Sequence, residues 1–306
     1  MSLPDPAGAG DPGPACRYRG AVDGIRLVAS DLDGTLLLPD ETVSERTRAA
    51  LAAARAAGVT VVLVSGRQPR SLGPIAERIG VGGIAICANG ALVWDLDTGT
   101  MVDATPLAAD LATRLVRALR QAIPGVLFAV ELESGFCHER GWPEDPAAVR
   151  PEALEADALE LICGPVVKLL LRHPTLPFTE LADKARQAVG EDAVATWAGL
   201  RLVEISAAGV TKAFALERLC RRLGIDAAEV VAVGDMPNDL AMLQWAGTAV
   251  AVANATQEVL DAVDEVTAAN VEDGVAQLLE RILAANGPGA KASGSRPPAP
   301  GTTPGR

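Results

Sequence analysis

The chain has 306 residues, of which 49% are hydrophobic and 3% are aromatic, and its formal net charge is -12. The length allows one large domain or two ordinary ones, and the acidic balance argues against nucleic acid or an anionic membrane as partner, because nonspecific binding to either requires a basic surface. The five cysteines are scattered without metal-ligand spacing and no apolar run is as long as a membrane span, so we expect a cytoplasmic protein with reduced thiols.

Both ends of the chain lack the periodicity of folded segments. Residues 1–20 and 287–306 are rich in proline, glycine and alanine. This composition is typical of disordered tails, so we expect the folded part to lie between them.

The first folded segment, residues 21–105, alternates strand and helix. Its apolar runs predict strands at residues 25–30, 59–64 and 84–87. Ser44 is placed to cap a first helix, and Pro69 suits the first turn of a second. A hairpin follows, turned at residues 97–99. This alternation is the pattern of a parallel sheet.

The middle segment, residues 106–209, has a different pattern, in which strands are paired in sequence. Helices are predicted at residues 107–122 and 178–189, and strands at residues 126–132, 166–172, 194–197 and 200–205. Residues 210–286 then return to alternating helix and strand. We therefore predict an α/β fold whose parallel-sheet core is built from residues 21–105 and 210–286, with an α+β module of residues 106–209 inserted into it.

Two acidic clusters follow buried strands of the predicted core. Asp31 and Asp33 come directly after the first strand, and a second cluster begins at Asp235, after the strand at residues 230–233. Ligands bind at the carboxyl ends of such strands, and carboxylates grouped there suit Mg2+ and, through it, a phosphate. Asp31 could attack phosphorus as a nucleophile, with Asp33 as general acid and base. A lone Asp-x-Asp pair is explained equally well as an ordinary polar turn.

The second acidic cluster combines two carboxylates and an amide. Asp235 and Asp239 are four residues apart and share a face if a helix begins between them. Asp235 could then bind a cation directly and Asp239 through water, while Asn238 could donate to a phosphate. Helix capping explains Asp235 or Asn238, but it does not explain both carboxylates and the amide together.

Two further segments offer groups that bind phosphate. Ser65 and Gly66, at the end of the second strand, offer a hydroxyl and approachable backbone amides. Lys212 opens a predicted helix and could bind a transferring phosphoryl group as a point charge. Taken alone, each has a simpler explanation. Ser65 is then a polar residue at a strand end, and Lys212 is a solvated side chain.

Taken together and in this order, four segments resemble the motifs of the haloacid dehalogenase superfamily of phosphatases. They are Asp-Leu-Asp-Gly-Thr-Leu at residues 31–36, Val-Ser-Gly-Arg at 64–67, Gly-Val-Thr-Lys at 209–212 and Gly-Asp-Met-Pro-Asn-Asp at 234–239. The Asn-Gly-Ala element at residues 89–91 and the late insertion further resemble the Cof-type branch, which carries a type II cap of subtype B. The resemblance covers residues 24–284.

This resemblance implies a Rossmann-like core, a mobile inserted cap and Mg2+-dependent hydrolysis of phosphate esters. It implies that Asp31 is the nucleophile and Asp33 the general acid and base. The expected ligands of Mg2+ are Asp31, the main-chain carbonyl of Asp33 and Asp235, with Asp239 in support. The expected phosphate-binding residues are Ser65, Gly66, Lys212 and Asn238, with Arg67 and Asn89 as further substrate-binding candidates.

In the cap, polar and aromatic side chains are candidates for contact with the leaving group. They are Glu131, Glu133, His138, Arg140, Trp142, Lys168 and Arg172. We expect most of them to form solvated cap surface and a minority to reach the substrate, because a cap that closes shapes the leaving-group pocket and excludes water.

The sequence therefore favours a cytoplasmic, Mg2+-dependent phosphatase of a small phosphorylated metabolite, with a sugar phosphate as the first choice. A phosphomutase that uses the same nucleophile is one alternative. A non-catalytic sugar-phosphate-binding protein is the other, and the intact set of Asp31, Asp33, Lys212 and Asp235 argues against it, because a sensor needs no nucleophile.

Overall fold

The computed structural model describes residues 24–143, 153–197 and 202–286. The predicted tails, residues 1–20 and 287–306, lie outside the described residues. The strands are β1 (Leu27–Ser30), β2 (Thr60–Val64), β3 (Ile84–Cys87), β4 (Leu92–Asp95), β5 (Thr100–Ala104), β6 (Leu127–Leu132), β7 (Gly135–His138), β8 (Leu154–Glu155), β9 (Lys168–Arg172), β10 (Ala193–Thr196), β11 (Val203–Ala207), β12 (Val230–Gly234), β13 (Thr248–Val252) and β14 (Glu265–Thr267). The α-helices are α1 (Glu45–Ala56), α2 (Pro69–Ile79), α3 (Ala109–Ala122), α4 (Ala158–Leu161), α5 (Phe178–Val189), α6 (Lys212–Leu223), α7 (Leu240–Trp245), α8 (Gln257–Ala262) and α9 (Gly274–Ala285).

The first sheet has the strand order β14-β13-β12-β1-β2-β3-β4-β5. Its strands run parallel from β14 to β3, and β4 and β5 are added antiparallel. At the centre, Leu27 of β1 is in register with Thr60 on one side and Val230 on the other. All four residues of β1 are buried, as expected of a parallel strand that is covered on both faces. The predicted α/β fold is therefore confirmed.

Helices cover both faces of this sheet. Apolar residues of α1, α2 and α9 pack on one face, and those of α6, α7 and α8 pack on the other. Strand β1 pairs in parallel with β2 on one side and with β12 on the other. The carboxyl ends of these three strands therefore lie along one edge of the sheet, where the loops after them meet.

The second sheet has the strand order β10-β11-β9-β6-β7-β8 and forms the cap. Its strands pair antiparallel, apart from the parallel pair of β7 and β8. Helices α3, α4 and α5 pack on one face. The opposite face carries Glu131, Lys168 and Glu204, and Lys168 contacts the main chain at Gly66 of the core. The cap thus turns its helix-free face toward the loops at the edge of the first sheet.

The inserted segment contains elements that the sequence pattern does not predict. Strands β7 and β8 and the short α4 have no clear periodicity, since β7 is half-buried throughout and β8 has two residues. The helix predicted from Leu107 begins at Ala109, because Leu107 forms a β-bridge with Val166. Residues 198–201, which connect the predicted hairpin at residues 194–205, lie outside the described residues.

The two sheets take their strands from different stretches of the chain. Strands of the first sheet fall within residues 27–104 and 230–267, and those of the second within residues 127–207. The boundaries at residues 105/106 and 209/210 stay predictions. Across the three described stretches, none of the helices is sufficiently long and apolar to cross a bilayer.

Candidate active site

The loop after β1 places Asp31 at the centre of the site. The backbone N–H of Asp31 donates to the carbonyl of Val233 at 3.0 Å, which extends the pairing with β12 by one residue. Gly34 then turns the chain with φ at 81°, and a β-carbon there would overlap the Asp235 carboxylate. Thr35 Oγ1 donates to Asp235 Oδ1 at 2.9 Å. The loop that follows Asp31 therefore packs directly on Asp235 and holds it.

Three buried carboxylates converge here. One oxygen from each of Asp31, Asp235 and Asp239 lies within 4.8 Å of the others. Lys212, at the start of α6, donates from Nζ to Asp31 Oδ1 at 2.5 Å and to Asp239 Oδ1 at 2.6 Å, and its side chain is 0% exposed. The other oxygen of Asp239 accepts the backbone N–H groups of Asp235 and Met236, each at 3.1 Å. Asp239 thus links Lys212 to the loop that carries Asp235.

The charges in this cluster do not balance. Burial raises the pKa of Asp31 well above its usual value, and the nearby Asp239 charge adds to the effect. Burial and Asp239 likewise raise the pKa of Asp235 to about 6. Burial alone would lower the pKa of Lys212, but Asp239 and Asp31 outweigh it and raise that pKa. An ion pair with Lys212 alone would lower the pKa of Asp31, so burial and the neighbouring carboxylates dominate at Asp31.

This imbalance gives a physical test of whether a metal ion fits the residues present. Lys212 supplies one positive charge against three carboxylates whose oxygens converge in a buried space. Hard oxygen ligands of this kind suit Mg2+, and a divalent cation would offset the negative charge that remains. The donor set therefore fits a divalent metal ion.

Removing the charge of Asp235 should stabilise the metal-free protein at neutral pH. The pKa of Asp235 is raised from 3.8 to about 6, so its contribution to stability is full below pH 3.8 and is lost as the pH rises through about 6. In EDTA at pH 7.5, we expect Asp235→Asn to gain on the order of 2 kcal/mol over the unmodified protein, with about half of that gain at pH 5. Thermal unfolding at the two pH values measures this. With Mg2+ the unmodified protein should be the more stable of the two, because only the unmodified site binds the ion tightly. A gain in stability of Asp235→Asn that is independent of pH would contradict the account.

Asp33 lies outside the group of buried carboxylates. Its side chain is 51% exposed and accepts two hydrogen bonds from Arg67, Nε to Oδ2 at 2.8 Å and Nη2 to Oδ1 at 2.6 Å. Arg67 Nη2 also donates to Glu41 Oε1 at 2.7 Å. The hydrogen bond that Arg67 donates to Asp33 is the main cause of a raised pKa at Arg67. Arg67, expected near the substrate, therefore holds the Asp33 carboxylate here, and metal binding through the Asp33 main-chain carbonyl stays a prediction.

The candidate phosphate-binding loops meet at Asn89. The Asn89 N–H donates to the carbonyl of Ser65 at 3.0 Å, and its side-chain Oδ1 accepts from Asn238 Nδ2 at 3.2 Å. Asn89 has φ at 56°, and Gly90 has φ at 100° with a β-carbon position that would overlap the carbonyl of Thr211. Only a glycine lets the chain approach so closely to the residue before Lys212. Asn89 thus joins the loops after β2 and β12.

Two of the cap candidates reach the core. Lys168, 2% exposed, donates from Nζ to the carbonyl of Gly66 at 2.9 Å and to Glu204 Oε1 at 2.5 Å. Glu131 accepts from Gln68 Nε2 at 2.8 Å and lies 3.6 Å from Lys168 Nζ.

The other cap candidates make contacts within the cap. Glu133 and Arg140 are exposed, and Arg140 pairs with Glu155. His138 contacts the main chain at Glu139 through Nδ1, and Arg172 lies over the ring of Trp142 at 5.4 Å. The structure therefore brings Glu131 and Lys168 into contact with the core, whereas His138, Arg140, Trp142 and Arg172 contact residues of the cap.

Sequence reasoning missed Glu204 and Gln68. Glu204 lies between the buried apolar residues Val203 and Ile205 of β11, and its carboxylate also accepts from Asn89 Nδ2 at 2.5 Å. A charged residue inside an apolar strand is the signal that could have found it, since a buried charge requires a partner. Gln68 stands just before Pro69 at the start of α2, and no local pattern distinguishes it from a surface residue.

Comparisons with known proteins agree with this fold. A sequence model described as haloacid dehalogenase-like hydrolase matches residues 28–279. The chain is 30% identical over 266 residues to the pyridoxal phosphate phosphatase YbhA of Escherichia coli, covering 83% of this chain and 97% of that protein. It is 28% identical over 265 residues to the 5-amino-6-(5-phospho-D-ribitylamino)uracil phosphatase YcsE of Bacillus subtilis, covering 83% and 94%. Among solved structures, the subclass IIB sugar phosphatase BT4131 aligns with a TM-score of 0.70 at 21% identity, over 84% of this chain and 98% of that one. That last match concerns the fold, including the cap type.

Proposed function

This chain belongs to the family of haloacid dehalogenase-like hydrolases, and on that premise we propose that it is a Mg2+-dependent phosphatase of a small phosphorylated metabolite. The observation that carries the proposal is the buried group of Asp31, Asp235 and Asp239 with Lys212 in contact with two of them. Such a group supports a metal ion and a phosphoryl group side by side at the edge of the sheet.

In the proposed reaction, Asp31 attacks phosphorus. A bond forms between a carboxylate oxygen of Asp31 and phosphorus, and the bond from phosphorus to the ester oxygen breaks. The leaving alcohol takes a proton from Asp33. Water then attacks the phosphorus of the aspartyl-phosphate and gives a proton to Asp33, and the bond to Asp31 breaks to release phosphate. Lys212, held against Asp31, offers a positive charge to the phosphoryl oxygens.

Mg2+ fits the same residues. Asp31 and Asp235 would hold it with the main-chain carbonyl of Asp33, and Asp239 would support the arrangement through Lys212 and the backbone at Asp235. When bound, the ion supplies charge that stabilises the transferring phosphoryl group.

Asp33 should matter most for substrates with a poor leaving group. We expect Asp33→Asn to lower the rate of phosphate release from an alkyl phosphate by about 10²- to 10⁴-fold, because the alcohol then leaves without a proton. With p-nitrophenyl phosphate, whose leaving group needs no proton, the first step should stay fast and an initial burst of nitrophenol should appear. Pre-steady-state kinetics on the two esters measures this; equal losses on both, with no burst, would remove Asp33 from the acid role.

The acidic surface and the relatives support a small metabolite as the substrate. The relatives named above act on pyridoxal phosphate and on a phosphoribitylaminouracil, and a sugar phosphate stays our first choice among small esters. We place the protein in the cytoplasm, in keeping with the free thiols of Cys87, Cys137, Cys163 and Cys220.

Phosphate release from a panel of esters tests the proposal. The panel contains sugar phosphates, pyridoxal 5′-phosphate, nucleotides and p-nitrophenyl phosphate, each with Mg2+ and with EDTA. Release that requires Mg2+ supports a phosphatase, and the order of rates identifies the substrate class. Isomerised sugar phosphate without release would support the phosphomutase, and neither product from any ester would support a binding protein.

A further inference from the structure

We propose that the cap residues Glu204 and Lys168 position the phosphate-binding groups of the core, so that the phosphate site is complete only when the cap is docked. The inference rests on the proposed function, because it concerns the same phosphate site. The contacts form one chain of hydrogen bonds, which we name the cap relay and which consists of Asn238, Asn89, Glu204, Lys168 and Gly66.

The first half of the cap relay fixes the orientation of two side-chain amides. The Glu204 carboxylate only accepts hydrogen bonds, so Asn89 must present its Nδ2 to Glu204. Asn89 Oδ1 is thereby turned to Asn238, which must present its own Nδ2. That nitrogen carries a second hydrogen, which can be donated to a phosphate oxygen. The donor end of Asn238 is therefore selected by a carboxylate of the cap.

The second half of the cap relay fixes the main chain at Gly66. Lys168 Nζ donates to the Gly66 carbonyl, and the N–H of the same peptide unit, which belongs to Arg67, donates to Ser65 Oγ at 3.1 Å. The carbonyl of Ser65 accepts from the Asn89 N–H. In a planar trans peptide the N–H points opposite to the carbonyl, so the Gly66 N–H faces away from Asn89. Both peptide units around Gly66 thus have fixed orientations.

Burial makes these contacts strong and specific. The exposed fractions are 2% for Lys168, 3% for Asn89 and 8% each for Glu204 and Asn238. A methyl group at Gly66 would lie 3.6 Å from Glu204 Oε2, so this cap carboxylate lies against the phosphate-binding loop itself. Burial alone would lower the pKa of Lys168, but the charges of Glu204 and Glu131 outweigh it and keep Lys168 an ammonium. An incorrectly oriented amide in such a site would leave buried donors or acceptors unpaired.

The substitution Glu204→Gln should reverse the orientation of both amides without changing volume. Lys168 can only donate, so the new amide must turn its oxygen to Lys168 and its nitrogen to Asn89. Asn89 then turns its Nδ2 to Asn238, and Asn238 must turn its Oδ1 to Asn89. The Nδ2 hydrogens of Asn238 thereby leave the position from which they can bind phosphate. Orthophosphate, which has no leaving group to contact the cap, should therefore bind about tenfold or more weakly.

Calorimetric titration of orthophosphate into the full chain with Mg2+ measures this without turnover. The matched control is Glu139→Gln, which alters another buried cap carboxylate, bound to Arg120 and to the N–H of Phe128. The control should lower the thermal midpoint of the protein and leave phosphate affinity unchanged. A second relay variant, Asn89→Gly, suits the φ of 56° and removes the side-chain link. If Glu204→Gln fails to fold, Asn89→Gly tests the link to Asn238, and Lys168→Met tests the contact of the cap with Gly66.

The double variant, Glu204→Gln with Asn89→Gly, distinguishes the proposed role from a general loss of stability. Because Glu204 and Asn89 act through the same amide of Asn238, the double variant should bind phosphate about as weakly as the weaker single variant. Unchanged phosphate affinity in the relay variants, with a raised KM for large esters only, would overturn the inference and leave Glu204 as a leaving-group contact. If the unmodified protein itself binds no phosphate and releases none, the proposed function fails instead.

Discussion

Replacing Asp31 with asparagine should lower kcat by about 10⁴-fold or more while the fold stays intact. The amide has nearly the volume of the carboxylate but cannot attack phosphorus, so no aspartyl-phosphate forms. The site should tolerate the change, because Asp31 is buried beside two other carboxylates and its pKa is raised by burial and by the Asp239 charge. Phosphate release and the thermal midpoint, measured on the same preparation, report the two effects separately.

A matched control is available on the cap. Asp110, at the start of α3, pairs with Arg114 and has a side chain that is 75% exposed. Asp110→Asn should leave kcat unchanged, since surface substitutions of this kind have small effects. If Asp31→Asn keeps activity within a few fold of the unmodified enzyme, Asp31 is not the nucleophile.

Replacing Lys212 with methionine should have the second largest effect. The ammonium contacts Asp31 and Asp239 from a fully buried position, and loss of such a preorganised charge contact lowers kcat on the order of a hundredfold or more. Methionine keeps much of the volume, so the loss reports the charge. The variant should also be less stable in EDTA by about 3–5 kcal/mol, because two buried carboxylates lose their partner.

The matched control for Lys212 is Lys184→Met. Lys184 pairs with Glu180 on α5 and is 41% exposed, so both activity and stability should stay near those of the unmodified protein. Steady-state kinetics at saturating substrate and thermal unfolding in EDTA test the pair. A change in kcat of only a few fold in Lys212→Met would show that Lys212 does not act on the phosphoryl group.

The core of the fold was predictable because its signals are local. The buried run from Leu27 to Ser30 predicts a parallel strand, and Ser44 caps α1 by accepting the N–H of Thr47, as its position before the helix suggests. Acidic residues after two such strands predict that their carboxylates meet, because parallel strands end at the same edge of the sheet. The convergence of Asp31, Asp235 and Asp239 follows from that topology.

The cap contacts were not predictable in the same way. Lys168 and Gly66 are joined by one hydrogen bond although they are 102 residues apart in sequence, and Glu204 is 115 residues from Asn89. Such contacts depend on the register of the cap strands and on how the cap sheet docks, which no short segment encodes. The contact of Asp33 with Arg67 likewise joins loops that follow two different strands.

The central claim is that phosphate esters are hydrolysed through a phosphoryl group on Asp31, and trapping that group tests it most directly. Trypsin should release residues 27–46 as one peptide, because Arg26 and Arg46 flank a stretch without lysine or arginine. The Asp33→Asn variant is mixed with p-nitrophenyl phosphate and Mg2+, quenched in acid and digested. The masses of its peptides are then measured by mass spectrometry. We expect a hydroxylamine-labile phosphoryl group on peptide 27–46 of the Asp33→Asn variant. The group should be absent from the double variant, which also carries Asp31→Asn. Turnover by the unmodified enzyme with no phosphoryl group on this peptide, or with one that survives Asp31→Asn, would contradict the account.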